Sequence, residues 1–174
     1  MLNNFEKRIH KDNRGEHIKF FVKDEAILDG FKEVHEVFTT INHKGTLRGL
    51  HFQSNPDQQK IIKALNGLFN VRVVLKENED YEANYTYKEN INGYTVYYFD
   101  NVGLHDKPIF APKGALLGYV SLEDNSIMLY VADENFDSKG DNGVHPFTEK
   151  LNINWNYDGE FIMSKRDKEL SKSL

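Results

Sequence analysis

The stretch KIIKALNGLFNVRVVLK, Lys60 to Lys76, decides the fold class. Two apolar runs, KIIKAL (60–65) and LFNVRVVLK (68–76), flank Asn66-Gly67. Asn and Gly both tolerate positive φ, so the pair is a hairpin signal between two strands. The segment VRVVLK alternates only partly, as in a strand buried on both faces. Outward from here the same signature recurs. HIKFFV (17–22), EVHEVFTT (33–40), TLRGLHFQ (46–53), YTVYYF (94–99), PIFAP (108–112), LLGYVSL (116–122) and SIMLYVA (126–132) are short, rich in β-branched or aromatic residues, and bounded by turn residues. Asn92-Gly93 and DNS (124–126) are further hairpin signals.

Helical pattern is sparse. DEAILDGFKE (24–33) reads as one short helical segment ended by Gly30. SKRDKELSKSL, from Ser164, reads as a short helix with Ser164 as N-cap and Asp167 as the N3 carboxylate. Many short strands with few helices predict an all-β sandwich or barrel. The 174 residues, without internal repeat or low-complexity linker, are expected to form one domain spanning 1–174.

Composition narrows the function classes. The net charge is −5, without a basic stripe, which argues against a dedicated nucleic-acid binder. A small anionic ligand needs only two or three local cations and stays open. There is no cysteine, so disulfides, thiolate chemistry and Cys-rich metal sites are excluded. The start MLNNFEKRIHKDN has no apolar core of a secretory signal, and no apolar run approaches the roughly 20 residues that span a bilayer. The expectation is a soluble cytoplasmic protein with no membrane partner.

TLRGLHFQ raises a question of its own. Arg48 and His51 lie three apart, and a regular strand puts such residues on opposite faces. The ordinary explanation is an arginine at a sheet edge and a half-buried histidine. The other is a bulge at Gly49 that turns both toward one cavity.

The order of motifs favours the cavity. LRGLHFQ (47–53), preceded by DNRG (12–15) and followed by QK (59–60) and GLFNV (67–71), resembles the dTDP-4-dehydrorhamnose 3,5-epimerase family. IFAPKGALLGY (109–119) resembles the family's I-P-x-G-x-A-H-G-F, INW (153–155) its I-x-W, and MSKRD (163–167) its L-S-x-[KR]-D. The matches are collinear over nearly the whole chain. The R-G-L-H element is specific and the others are individually weak.

The resemblance implies a cupin-type jelly roll, short peripheral helices and a homodimer whose first strands cross to the partner. It implies a nucleotide-diphospho-4-keto-6-deoxy sugar as substrate, epimerised at C3, C5 or both through an enolate, without cofactor or metal. His51 matches the family base and Asp167 its partner carboxylate. Lys60 matches the lysine that stabilises the enolate, and Tyr130 the acid. Arg48 matches a diphosphate-binding arginine, and Arg14 a second one that reaches the partner's site. Gln53, Glu36 and Lys19 fall at substrate-binding places. Taken alone, Lys60 is an ordinary surface lysine, Asp167 a capping charge and Tyr130 a packing aromatic.

The pattern also breaks. Leu117 replaces the histidine of A-H-G-F, and Phe136 replaces a second aromatic hydroxyl. RGEHIK carries His17 for an aromatic and Lys19 for an acid, and EVF (36–38) replaces Q-x-N. These departures point to a shifted substrate. Glu36 suits a guanine edge, so a GDP-linked 4-keto-6-deoxy sugar or heptose is one expectation beside the dTDP-hexose. A sugar-nucleotide 3,4-ketoisomerase and a jelly-roll sugar-nucleotide-binding module that has lost catalysis are the competing functions. A metal-dependent cupin oxygenase is disfavoured, because the remaining histidines show no ligand spacing.

Overall fold

The computed structural model describes residues 7–24, 31 and 33–174. Its architecture is an antiparallel β-sandwich. The strands are β1 (Ile9–Asp12), β2 (Gly15–Ile18), β3 (Glu36–Asn42), β4 (Leu47–Gln53), β5 (Lys60–Asn66), β6 (Phe69–Lys76), β7 (Tyr87–Ile91), β8 (Tyr94–Val102), β9 (Ile109–Ala111), β10 (Leu116–Ser121), β11 (Ser126–Ala132) and β12 (Asp141–Gly143). A short helix, α1 (Lys165–Glu169), follows. One sheet runs β12-β4-β10-β6-β8-β7, the facing one runs β3-β11-β5-β9, and β1-β2 is a separate hairpin. The helix expected over 24–33 falls mostly on residues outside those described.

The hairpin expected at Asn66-Gly67 is corrected. β5 and β6 belong to different sheets, so this turn carries the chain across the sandwich rather than pairing its flanks. Gly67, at φ +72°, permits the corner, and a Cβ there would collide with the Ser126 side chain. The DNS turn joins β10 to β11 and is likewise an inter-sheet corner. Asn92-Gly93 is the true two-residue hairpin, with positive φ at both residues and Ile91 opposite Tyr94.

β6 is buried along almost its whole length, on both faces. Its inward residues Phe69, Val71 and Val73 join Ile62, Met128, Leu117, Tyr119 and Tyr130 between the sheets. On the outer face Val74, Leu47, Leu50, Val96 and Val120 are covered by the C-terminal segment through Leu151, Ile153 and Trp155. Each fully buried side chain of this kind contributes about 1.5–3 kcal/mol. Arg72 lies in this second layer. It pairs with Asp100 at 2.7 Å, donates to the carbonyl of Asn154 at 2.9 Å and stacks on Tyr98. The interior cation is therefore neutralised and hydrogen-bonded where it sits.

Candidate active site

A bulge explains Arg48 and His51. On β10, Leu117 pairs with His51 and Tyr119 with Arg48, so Gly118 alone faces both Gly49 and Leu50. Two residues against one reverses the side-chain alternation, and Arg48 and His51 line the same cavity. Gly49 holds φ +118°, and a Cβ on it would lie 2.6 Å from the Gly118 Cα. Only glycine fits.

The cavity, about 490 Å³, opens where both sheets and α1 meet. β3 supplies Glu36, Phe38 and Thr40; β4, Arg48 and His51; β5, Lys60; β11, Tyr130; β12, Asp141. Ser164, Arg166 and Asp167 close it from the C-terminal side, with Gln58 and Phe136 from loops. Ser164 is the N-cap of α1, its hydroxyl accepting from the Asp167 amide at 3.0 Å. That cap places Asp167, whose carboxylate meets His51 instead of closing a capping box. His51 Nε2 stands 2.7 Å from Asp167 Oδ1, with the carboxylate nearly fully buried. Burial pushes that carboxyl upward. The His51 hydrogen bond and charge, the Gly49 amide and Arg166 overcome it and hold Asp167 below the usual carboxylate range.

Lys60 is pulled below the usual lysine range, by burial first, with Arg166 adding to the effect against Asp141 and Glu36. Tyr130 packs flat on Phe38, rings 4.6 Å apart and 8° from parallel. Burial, then Tyr119, raise its phenol well above the ordinary value, so it stays protonated at neutral pH. Tyr119 contacts Thr40 Oγ1 at 2.7 Å and donates to Asn42 Oδ1 at 3.3 Å. Asn42 Oδ1 also accepts from Arg48 Nε at 2.9 Å, which orients the guanidinium.

The sequence-predicted residues separate into two groups. His51, Asp167, Lys60, Tyr130, Arg48 and Glu36 come together. Gln53 does not line the cavity. It is buried, donating to the carbonyls of Pro56 and Asn135 and accepting from the Asp137 amide, and so ties two loops together. Its expected contact with substrate gives way to this structural role. Arg14 and Lys19 lie outside this cavity, on or just after the exposed β1-β2 hairpin, and Arg14 is clamped by Asp12 at 2.6 Å. Glu36 accepts from the Phe136 amide at 2.9 Å, which engages one of its oxygens. Leu117 is buried in the inter-sheet core opposite His51.

Arg166 and Asp141 are the charged cavity residues that escape sequence reasoning. Arg166 lies inside the MSKRD motif, where the family resemblance assigns a role only to the aspartate beside it. Asp141 had no signal, since β12 is only three residues long. Arg166 Nη2 lies 2.8 Å from Asp141 Oδ2, and Arg166 Nη1 lies 2.8 Å from His51 Nε2. Among the described residues no group of three or more His, Cys, Asp or Glu could hold a metal ion, and no helix is long and apolar enough to cross a membrane.

Residues 2–173 match the family described as dTDP-4-dehydrorhamnose 3,5-epimerase. A protein of that name from Methanothermobacter thermautotrophicus is 29% identical over 172 residues, covering 94% of this chain and 84% of the relative. A Streptomyces protein named dTDP-4-dehydro-6-deoxyglucose 3-epimerase is 24% identical over 167 residues, covering 92% and 78%. The crystal structure of the 3,5-epimerase of Bacillus anthracis, with TDP and PPi bound, superposes with a TM-score of 0.72 at 25% identity, covering 94% of this chain and 89% of that one. The cupin jelly roll, the cavity between its sheets and a profile match over nearly every residue lead to one conclusion: the chain belongs to the dTDP-4-dehydrorhamnose 3,5-epimerase family.

Proposed function

We propose that the chain inverts C3, C5 or both of a dTDP-linked 4-keto-6-deoxy sugar through an enolate. The observation that carries this is the pair of half-buried His51 and buried Asp167 beside a cavity that Lys60 and Tyr130 also line. The carbon next to the C4 ketone gives its proton to His51, and the C–H electron pair moves toward the carbonyl oxygen. Lys60 donates to that developing oxyanion. Tyr130, kept protonated by burial, returns a proton to the carbon from the other face; the imidazolium of His51 then releases its proton to solvent and the phenolate recovers one from it. Asp167 holds the imidazole and stabilises its charged form. Arg48 holds the diphosphate.

Arg14 and Lys19 enter this reading only through a second subunit. The β1-β2 hairpin is exposed, and Val37 and Ile41 present apolar surface on β3, which ends its sheet. We infer a homodimer in which the hairpin of one protomer supplies Arg14 to the other's cavity. For the nucleotide, dTDP is favoured over GDP by the names of the relatives, and the Phe136 amide already engages one oxygen of Glu36.

Proton NMR in deuterated water, with dTDP- and GDP-linked 4-keto-6-deoxy sugars, tests the reading. Deuterium is expected at C3, C5 or both of the dTDP sugar, and none with His51→Asn. Exchange with GDP-linked hexose or heptose alone would transfer the assignment to guanine. Proton transfer without inversion, giving a 3-keto product, would identify a ketoisomerase. No exchange with any substrate would leave a binding module.

A further inference from the structure

One nitrogen of His51 has two incompatible neighbours. Nε2 lies 2.7 Å from Asp167 Oδ1, an acceptor, and 2.8 Å from Arg166 Nη1, a donor. A neutral imidazole nitrogen carries either one proton or one in-plane lone pair, never both. Donation to Asp167 would set an N–H against a guanidinium N–H. Acceptance from Arg166 would set a lone pair against the carboxylate.

The surroundings favour acceptance when no ligand is bound. Arg166 is anchored by Asp141, whose Oδ2 lies 2.8 Å and whose carbonyl lies 3.3 Å from Nη2. Beside its contact with His51, Asp167 also draws on the Gly49 amide and on Arg166, 3.6 Å away. In this arrangement His51 carries its proton on Nδ1, and its single lone pair, on Nε2, is covered. The imidazole has no free basic nitrogen.

The Arg166 side chain is 41% exposed and lines the same cavity as Arg48 and Lys60. An anion seated among these cations competes with His51 for the guanidinium. We propose that Arg166 is a positioning residue that sets the His51 tautomer: it masks the base in the empty site and releases it when a nucleoside diphosphate group draws the guanidinium away. On release, Nε2 takes the proton and donates to Asp167, and Nδ1 is left with the lone pair. One proton changes ring nitrogen through solvent exchange, and no net charge is gained. This rests on the assignment of His51 as base.

The test is nitrogen-15 NMR of the histidine ring at neutral pH, which reads the tautomer directly and is independent of turnover. Free wild-type protein should show Nδ1–H at His51, and saturating dTDP should invert the pattern to Nε2–H. Inorganic pyrophosphate is the second arm: inversion by pyrophosphate assigns the trigger to the diphosphate rather than the base. Arg166→Met should show Nε2–H without ligand and no further change with dTDP. Arg166→Lys, whose single ammonium cannot span Asp141 and His51, should behave alike and serves if the methionine variant does not fold. Nε2–H in the free wild-type protein, or a tautomer unchanged by either substitution, overturns the proposal. A wrong tautomer in a protein that exchanges deuterium removes this inference alone, whereas absent exchange with the expected tautomer removes the epimerase reading alone.

Discussion

At the scale of the residue, the proposed reaction divides the proton chemistry between two groups. His51→Asn keeps a polar amide near the inner part of the imidazole but loses the base, so exchange should fall by about 10²–10⁴-fold or more, while the urea midpoint changes little. Tyr130→Phe should retain washout of the proton on the base side yet block net inversion. Equal loss of both activities would reassign the acid. Both are read by the deuterium experiment. Asp167 adds a pH dependence to stability. Its folded carboxyl lies below the unfolded value, so its contribution is complete above the ordinary carboxylate range and is lost as pH falls through the folded value. The stability gap between wild type and Asp167→Asn should therefore shrink in acid, which chemical denaturation across pH would follow. A gap constant with pH would contradict the assigned direction.

At the scale of the element, the bulge in β4 holds the site together. Gly49→Ala places a Cβ against the Gly118 backbone in a conformation that L-residues rarely adopt. Backbone stands on the other side, so neither strand can give way locally. The loss should reach about 4 kcal/mol and should remove activity with it. An alanine variant of wild-type stability in urea would show that the register can slip. Ser164→Ala loses the cap of α1 and should cost about 1 kcal/mol. Because that cap places Asp167, its effect on exchange should exceed its effect on stability. α1 was legible because a capping serine followed three residues later by an acid is a local pattern. The Asn66-Gly67 turn was misread because positive φ serves a hairpin and an inter-sheet corner equally. Only the partner across the sheet distinguishes them.

At the scale of the molecule, two interior cations link distant segments. Arg72 joins the six-stranded sheet to the C-terminal segment. Lys63 donates to the carbonyls of Ala64, Gly103 and Leu104, fastening β5 to the loop after β8. Burial draws the Lys63 ammonium down to about 8 from the usual 10.5, against Asp106. Between these values the unfolded chain holds more protons than the folded one, so stability rises with pH. The difference in unfolding free energy between wild type and Lys63→Met should shift across that window with a slope of about one proton. A flat difference would show that Lys63 titrates as in water.

Strand content, the all-β class and the α1 cap were written in local pattern, and the collinear family motifs singled out His51, Lys60, Tyr130 and Asp167, which line one cavity. The pairing of strands, the sheet to which each belongs and the company each polar residue keeps were not. Gln53 lies in the most specific motif and yet braces loops, because its neighbours come from 56 and from 135–137. Arg166 reaches His51 from 115 residues away. Such contacts depend on the direction of side chains across a folded interior, and local spacing carries no information about it. The bulge at Gly49 joins the two levels: the glycine marks where alternation can break, and only packing against β10 decides that it does.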